Sequence, residues 1–363
     1  MKIAKTIPVS AGERKSQSKE PLVSIVVPGY NEASILEKNL NLLCDYMESL
    51  SDRYRWELIF VDDGSTDETG ALAEAFAKTR KNVLVLHHVV NSRLGQALRT
   101  AFKYCNGDYV VTMDVDLSYS PEHIGKMLDK LEETKSQVVV ASPYMEEGCV
   151  SNVPWMRRKL SIWANRFLSV TAKGSNLSTL TGMVRAYEGE FLRTLNLKAM
   201  DTEINAEIIY KAMLLRARIV EIPAHLDWGS QRSEGIKRRS SMKIVKSVIA
   251  YLISGFFFRP FMFFIVPGMS LMLISLYPFM WVFIHTVANY QALPPSMASF
   301  DIRLSAAIAD AFRQSPHSFI VGSVTLMLGI QLFSLGVLAL QNKRYFEELF
   351  NLGTTIFRHN REH

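Results

Sequence analysis

Apolar and polar residues follow two different rhythms along this chain, and the change comes near residue 240. Up to that point short β-branched runs alternate with amphipathic stretches. "LVSIVVP" (22–28) precedes a helix beginning near Ser34, and "WELIFVDDGS" (56–65) leads into a helix over 66–78. "NVLVLHH" (82–88) precedes a helix over 95–105, "DYVVTMD" (108–114) precedes one over 122–133, and "QVVVAS" (137–142) closes the series. Near-continuous apolar strands alternating with helices predict an α/β domain whose mostly parallel sheet is covered on both faces. Ligands of such sheets bind beyond the carboxyl ends of the strands.

After residue 250 apolar runs dominate. Phe261–Val287 and Ser318–Leu340 are each uncharged and exceed or match the ~20 residues that a bilayer crossing needs, with Pro267 and Pro278 expected to bend the first and "QNKR" to end the second. Between them "IRLSAAIADAF" suggests a short interfacial helix, and before them residues 239–259 read as an amphipathic helix lying in the headgroup plane. The expected organisation is a disordered polar N-terminus (1–21), the α/β domain (22–238), the amphipathic helix (239–259), two transmembrane helices (260–341) and a cytoplasmic tail (342–363). Lys237, Arg238, Arg239, Lys243 and Lys246 precede the first span, and Lys343, Arg344, Arg358 and Arg361 follow the second, whereas the connecting loop holds Arg303 and Arg313. The positive-inside rule therefore puts both termini in the cytoplasm.

Composition agrees with a membrane protein. The chain has 363 residues, 48% hydrophobic and 21% charged, with a net charge of +6. Much of that charge is gathered in "KRRSSMKIVK" (237–246), which suits an anionic membrane surface better than nucleic acid. Three cysteines without CxxC spacing argue against a disulfide framework or a zinc site, and residues 1–20 lack the apolar region of a secretory signal.

The unusual polar residues collect where strands end: "PGYNE" (28–32), "VDDGSTD" (61–67) and "DVDLS" (114–118). If the fourth strand continues through them, Asp114 and Asp116 point to the same side. Two such carboxylates need a cation, a proton or hydrogen-bond donors beside them. For an isolated pair the alternative is a solvated strand-to-helix turn, but three acidic clusters on one rim favour a site. With no GxGxxG after the first strand and no GxxxxGK[ST], an acid-lined site for a phosphate-bearing ligand calls for Mg2+ or Mn2+.

"SIVVPGYNE", "ELIFVDDGSTDETG", "NSRLGQALRTAF", "GDYVVTMDVDLSYSPE", "VPWMRRKLS", "TGMVRAY" and "RSEGIKRR" together resemble the family 2 glycosyltransferases, in the branch of dolichol-phosphate mannose synthases and bacterial polyisoprenyl-phosphate glycosyltransferases. The resemblance implies a GT-A fold and transfer of a hexose from a UDP- or GDP-sugar to a dolichyl or undecaprenyl phosphate at the cytoplasmic face, with inversion if the displacement is single. It implies that Pro28, Tyr30, Glu32, Val61 and Asp63 hold the base and ribose, that Asp114, Val115 and Asp116 form the metal-binding DxD segment, and that Arg232 and Arg238 close over the phosphates. Arg185 and Glu207 fall where the family places acceptor-side residues. Arg157, Arg158 and Lys159 are candidates for the acceptor phosphate or for a plain basic patch, and Glu203 and Glu207 are candidate bases. His87, His88 and His225 are expected to be structural. Three positions depart from the family pattern: Ser118 stands for a Gln, Pro143 for an Arg and Ser178 for an Asp.

The expected partners are a nucleotide sugar, a polyprenyl phosphate and the membrane, with a homo-oligomer left open. Two other readings stand beside this one. A processive or ceramide-type family 2 transferase would carry QxxRW, which this chain lacks. A non-catalytic membrane scaffold or transporter subunit would tolerate loss of Asp116.

Overall fold

The computed structural model describes residues 20–152, 159, 177–227, 261–294 and 299–362. The chain divides into two compact units, Met1–Phe258 with Phe350–His363, and Arg259–Leu349.

In the first unit β1 (Leu22–Gly29), α1 (Leu36–Glu48), β2 (Arg55–Asp62), α2 (Thr69–Lys78), β3 (Val83–His87), α3 (Arg93–Phe102), β4 (Tyr109–Thr112), α4 (Glu122–Thr134) and β5 (Val138–Ser142) follow in the expected order. After them come β6 (Cys149–Ser151), β7 (Arg185–Glu188), α5 (Gly189–Thr194), α6 (Ile204–Leu214), β8 (Ile219–Pro223) and β9 (His225–Asp227). The main sheet has the order β3-β2-β1-β4-β7-β5-β8, and every pairing is parallel except those of β7 with β4 and β5. β6 and β9 form a separate parallel ribbon.

The strand pleat sends alternate side chains to opposite layers. Val23, Ile25, Val27, Leu58 and Phe60 pack with Leu36, Leu40 and Leu43 of α1 and Ile124, Met127 and Leu128 of α4. Val26, Ile59 and Val61 pack on the other face with Ala97, Leu98 and Ala101 of α3 and Ile204, Ile208 and Ile209 of α6. Each fully buried aliphatic side chain contributes about 1.5–3 kcal/mol relative to exposure, which is why both faces of the sheet read as apolar. The chain order places β2 and β3 on one side of β1 and β4 on the other. The direction of winding therefore reverses between β1 and β4, where a crevice opens at the strands' carboxyl ends.

The second unit contains α7 (Met262–Ala292), α8 (Phe300–Gln314) and most of α9 (Pro316–Glu362). α7 and α9 are long and apolar enough to cross a membrane. A core helix of a soluble protein would bury its large apolar residues, whereas Leu273 and Phe283 are 65% and 68% exposed. The expected end of the second span at "QNKR" is not an end of the helix, since α9 runs without a break through Lys343 and Arg344 to Glu362. Nothing at 341–344 removes an amide donor or requires a left-handed residue, so polarity changes there while the helix continues. The amphipathic segment 239–259 lies outside the described residues.

Candidate active site

The three acidic clusters lie on one rim because β1, β2 and β4 are parallel, with β1 and β2 ending in register and β4 ending opposite Val26. Pro28 pairs with Val61 and Gly29 with Asp62 in the β1–β2 register, so the loops beyond them start side by side. Those loops are laced together. Asn31, held in the left-handed region, donates its amide to Ser65 Oγ (3.0 Å) and accepts the Thr66 amide on Oδ1 (2.8 Å). The Glu32 amide donates to Thr69 Oγ1 (2.8 Å), and the Ala33 amide donates to Asp67 Oδ2 (3.3 Å). Burial opposes charge on Asp67, but hydrogen bonds from Thr69 and from backbone amides outweigh it and hold this carboxyl below the usual carboxylate range. Tyr30 stands exposed on this loop and Glu32 is half-buried beneath it.

Asp114 and Asp116 are not strand residues. β4 stops at Thr112, and 114–118 form a turn in which the Leu117 amide donates to the Asp114 carbonyl (3.2 Å) and Leu117 adopts φ 47°. The alternation argument therefore does not place these carboxylates; the turn does. Asp116 Oδ1 accepts the Ser118 amide at 3.0 Å, and both aspartates are half-buried. Asn39 of α1 donates to the Val115 carbonyl (2.9 Å) and ties the turn across the β1–β4 crevice. Beneath it the Tyr119 phenol is pushed up, first by burial and then by the charge of Asp114. From behind, the Asp227 amide of β9 donates to the Ser118 carbonyl (2.9 Å).

Several expected ligand contacts are taken up by the protein itself. Val61 is fully buried and Val115 nearly so, and both shape the crevice from below. Asp63 accepts the Ser92 amide on Oδ1 (2.9 Å) and the Arg93 amide on Oδ2 (2.8 Å), and it meets His88 Nδ1 at 2.6 Å. Those bonds hold the segment after β3. Arg185 was expected on the acceptor side, yet its side chain has no exposed surface. Its Nη1 donates to the Asn205 carbonyl (2.7 Å) and its Nη2 to the Leu180 carbonyl (2.8 Å). Glu207 does not stand free as a base: it accepts the amides of Lys198 and Ala199 and pairs with Lys211 Nζ at 2.7 Å. An antiparallel strand inserted between β4 and β5 draws Arg185 into the sheet, and α6 turns Glu207 toward the loop that precedes it. Arg157, Arg158, Arg232 and Arg238 lie outside the described residues, while Lys159 is exposed.

His87 Nδ1 meets Asp62 Oδ2 at 3.0 Å, and His225 Nε2 meets Ser151 Oγ at 2.7 Å. The paired "DD" (62–63) and "HH" (87–88) at the ends of neighbouring strands carried that signal in the sequence. Asn39 and Thr69, which bind the rim loops, carried none, because a polar residue in an amphipathic helix ordinarily faces water.

Known proteins add to this geometry. The profile of Glycosyl transferase family 2 matches residues 24–195, spanning β1 to just beyond α5. The undecaprenyl-phosphate mannosyltransferase of Micrococcus luteus is 30% identical over 207 residues, covering 55% of this chain and 82% of that protein. The chain belongs to glycosyl transferase family 2. This family 2 glycosyltransferase is also 29% identical over 227 residues to the polyprenol monophosphomannose synthase of Mycolicibacterium smegmatis, covering 61% of this chain and 82% of that one. Among solved structures, glucosyl-3-phosphoglycerate synthase of Mycobacterium tuberculosis, in complex with Mn2+, uridine diphosphate and phosphoglyceric acid, matches with a TM-score of 0.47. That match has 20% identity and covers 65% of this chain and 78% of the other. The transferase has the GT-A-like α/β architecture with a mostly parallel sheet.

Proposed function

We propose that this glycosyltransferase moves a hexose from a UDP- or GDP-sugar to a polyprenyl phosphate at the cytoplasmic membrane face, inverting the anomeric carbon and using Mg2+ or Mn2+. The observation that carries this reading is the bond from Asn39 of α1, the helix that follows the Tyr30–Glu32 loop, to the Val115 carbonyl of the Asp114–Asp116 turn beside the β1–β4 crevice, in a chain that also has two membrane-length helices. Its relatives named for polyprenol monophosphomannose synthesis and undecaprenyl-phosphate mannosyl transfer support the acceptor class.

The donor set suits such a metal. Among the described residues no group of three or more His, Cys, Asp or Glu side chains comes together. A pair of carboxylates leaves the remaining positions to diphosphate and water oxygens, as magnesium prefers. When bound, the ion neutralises charge that builds on the departing diphosphate. Asp114 and Asp116 would hold it, and Arg232 and Arg238 would meet the same diphosphate.

The acceptor explains why no free base is needed. A phosphate monoester has a second pKa near 6 and is largely dianionic at neutral pH. It requires orientation and charge pairing, for which Arg157, Arg158 and Lys159 are the candidates. The commitment of Glu207 to Lys211 and two amides supports this base-free chemistry. Inversion follows from attack by the phosphate oxygen opposite the leaving diphosphate.

The test is transfer of radiolabelled sugar to undecaprenyl or dolichyl phosphate with and without EDTA. A labelled lipid that requires metal is expected, with Asp116→Asn lowering kcat by about 10²-fold or more. Turnover insensitive to EDTA, polymer as the product, or no lipid product from any GDP- or UDP-sugar counts against the reading.

A further inference from the structure

The ribbon of β6 and β9 stands apart from the main sheet and is bonded to the back of the acid turn. Its strands pair in parallel, Cys149 with His225, Val150 with Leu226 and Ser151 with Asp227. β9 also meets the two residues that follow Leu117: the Asp227 amide donates to the Ser118 carbonyl (2.9 Å), and Leu226 forms an antiparallel bridge with Tyr119. The His225 amide donates to His123 Nε2 (3.2 Å) of α4, the helix into which the turn leads.

Parallel strands leave a ribbon at the same end. Here the chain departs at Asn152 and at Asp227, and a side-chain bond joins the two points: Asn152 Nδ2 donates to Asp227 Oδ1 at 2.6 Å. Asn152 has φ 59°, in the left-handed region that asparagine tolerates, and β6 ends just before it. From these two points the sequence continues into the two basic stretches, "VPWMRRKLS" (153–161) and "WGSQRSEGIKRR" (228–239). Arg157 is five residues beyond Asn152, and Arg232 is five residues beyond Asp227. Five residues reach at most about 18 Å, so where each arginine can act depends on where its stretch departs. The Asn152–Asp227 bond is exposed. Such a bond adds little to stability, because water replaces it when it is lost. The fold therefore gains little from it, whereas the placement of both departure points depends on it.

We propose that Asn152 and Asp227 are positioning residues, which register the starts of both basic stretches against each other and against the acid turn. The cations for the donor diphosphate and those for the acceptor phosphate are then referred to one bracket, the ribbon that also holds Ser118. This rests on the glycosyl-transfer reading above and extends it to two residues that act through others.

The experiment uses the full-length protein in detergent. It compares wild type with Asn152→Gly, with Asn152→Asp, and with the swapped pair Asn152→Asp plus Asp227→Asn. Arg53→Ala, which removes an exposed ion pair to Asp129 at the amino ends of the strands, is the structural comparison. Glycine keeps the left-handed backbone and removes only the side chain, while Asn152→Asp sets two carboxylates against each other. Thermal midpoints, calorimetric binding of GDP and UDP with Mg2+, and transfer kinetics over both substrates are measured. Both single variants are expected to keep a midpoint no lower than that of Arg53→Ala. Their kcat/KM for the nucleotide sugar should fall about tenfold or more, and their KM for the polyprenyl phosphate should rise. The swapped pair, which restores an amide-to-carboxylate bond, should recover both parameters. The proposal is overturned if either single variant transfers sugar as well as wild type, or if its midpoint drops below that of Arg53→Ala. It is equally overturned if one substrate alone is affected, or if the swapped pair does no better than Asn152→Asp. Absence of any lipid product from wild type sinks the function reading instead. Binding of GDP or UDP with Mg2+, expected to weaken in both single variants and return in the swapped pair, then decides the donor side of the proposal by itself.

Discussion

At the scale of single residues, the polar groups near the rim divide into those facing the crevice and those bound into the protein. Glu207 belongs to the second kind, because its carboxylate is the partner of a buried Lys211. Removing one member of a buried ion pair strands the other, so Glu207→Ala should cost about 3 kcal/mol or more in a denaturation measurement. Glu207→Gln should leave the pH profile of the remaining activity unchanged; a lost titration limb would make Glu207 a base after all. His123 of α4 shows the same economy. Its Nε2 accepts the His225 amide (3.2 Å) and its Nδ1 lies 2.9 Å from the Ser120 carbonyl, an arrangement for a neutral ring. Burial, the largest cause, lowers its pKa. With the folded value below the unfolded value of about 6.5, the unfolded chain takes up the proton first. The stability that His123 contributes is therefore complete above about pH 6.5 and is lost as pH falls toward the folded pKa. Thermal midpoints measured through that range should decline in wild type, with a smaller decline in His123→Gln.

At the scale of elements, the two membrane-length helices of the second unit meet through glycine. A Cβ at Gly268 of α7 would lie 2.8 Å from the Phe333 amide nitrogen and 2.9 Å from the Gly329 carbonyl oxygen of α9. Gly322, Gly329 and Gly336 recur at the seven-residue interval that keeps one face of α9 toward a neighbouring helix, and in a bilayer such close backbone approach supplies the packing that hydrophobicity does not. Gly329→Leu should lower the midpoint of the full-length protein in detergent. Gly353→Leu, where no atom of the described residues lies within 4 Å of the built Cβ, should not. α8 is the helix expected between the spans, and Arg303 attaches it to the end of α7. Arg303 Nη2 donates to the carbonyls of Tyr290 (3.3 Å) and Leu293 (3.2 Å), while the guanidinium lies 4.5 Å from the Tyr290 ring centroid. These last carbonyls have no intrahelical donors, and a cation there also meets the negative end of the helix dipole.

At the scale of the whole molecule, a transferase acting on a polyprenyl phosphate has one substrate in water and one in the bilayer. Two membrane-length helices in the same chain fit that division. The basic flanks of the two membrane-length helices predict that both termini lie in the cytoplasm. An impermeant thiol reagent applied to intact cells should accordingly label a cysteine placed at 295–298 and not one placed after residue 357; the opposite pattern would reverse the topology.

The hydrophobic rhythm alone determined the alternation of strands and helices, the parallel bias of the sheet and the two spans, because burial on both faces of a sheet or across a bilayer leaves a mark at every position. It also placed the acidic clusters at strand ends, since a parallel sheet collects those ends on one rim. Tertiary structure decided the order of the strands and so the crevice between β1 and β4. It also decided the antiparallel insertion of β7 that buries Arg185 and the turn that orients Asp114 and Asp116 after β4 has ended. Whether Asp63 or Glu207 faces a ligand or a backbone amide depends on partners about 30 residues away for one and on the fold of a loop for the other. A charge in a sequence carries no direction, and only the packed chain gives it one.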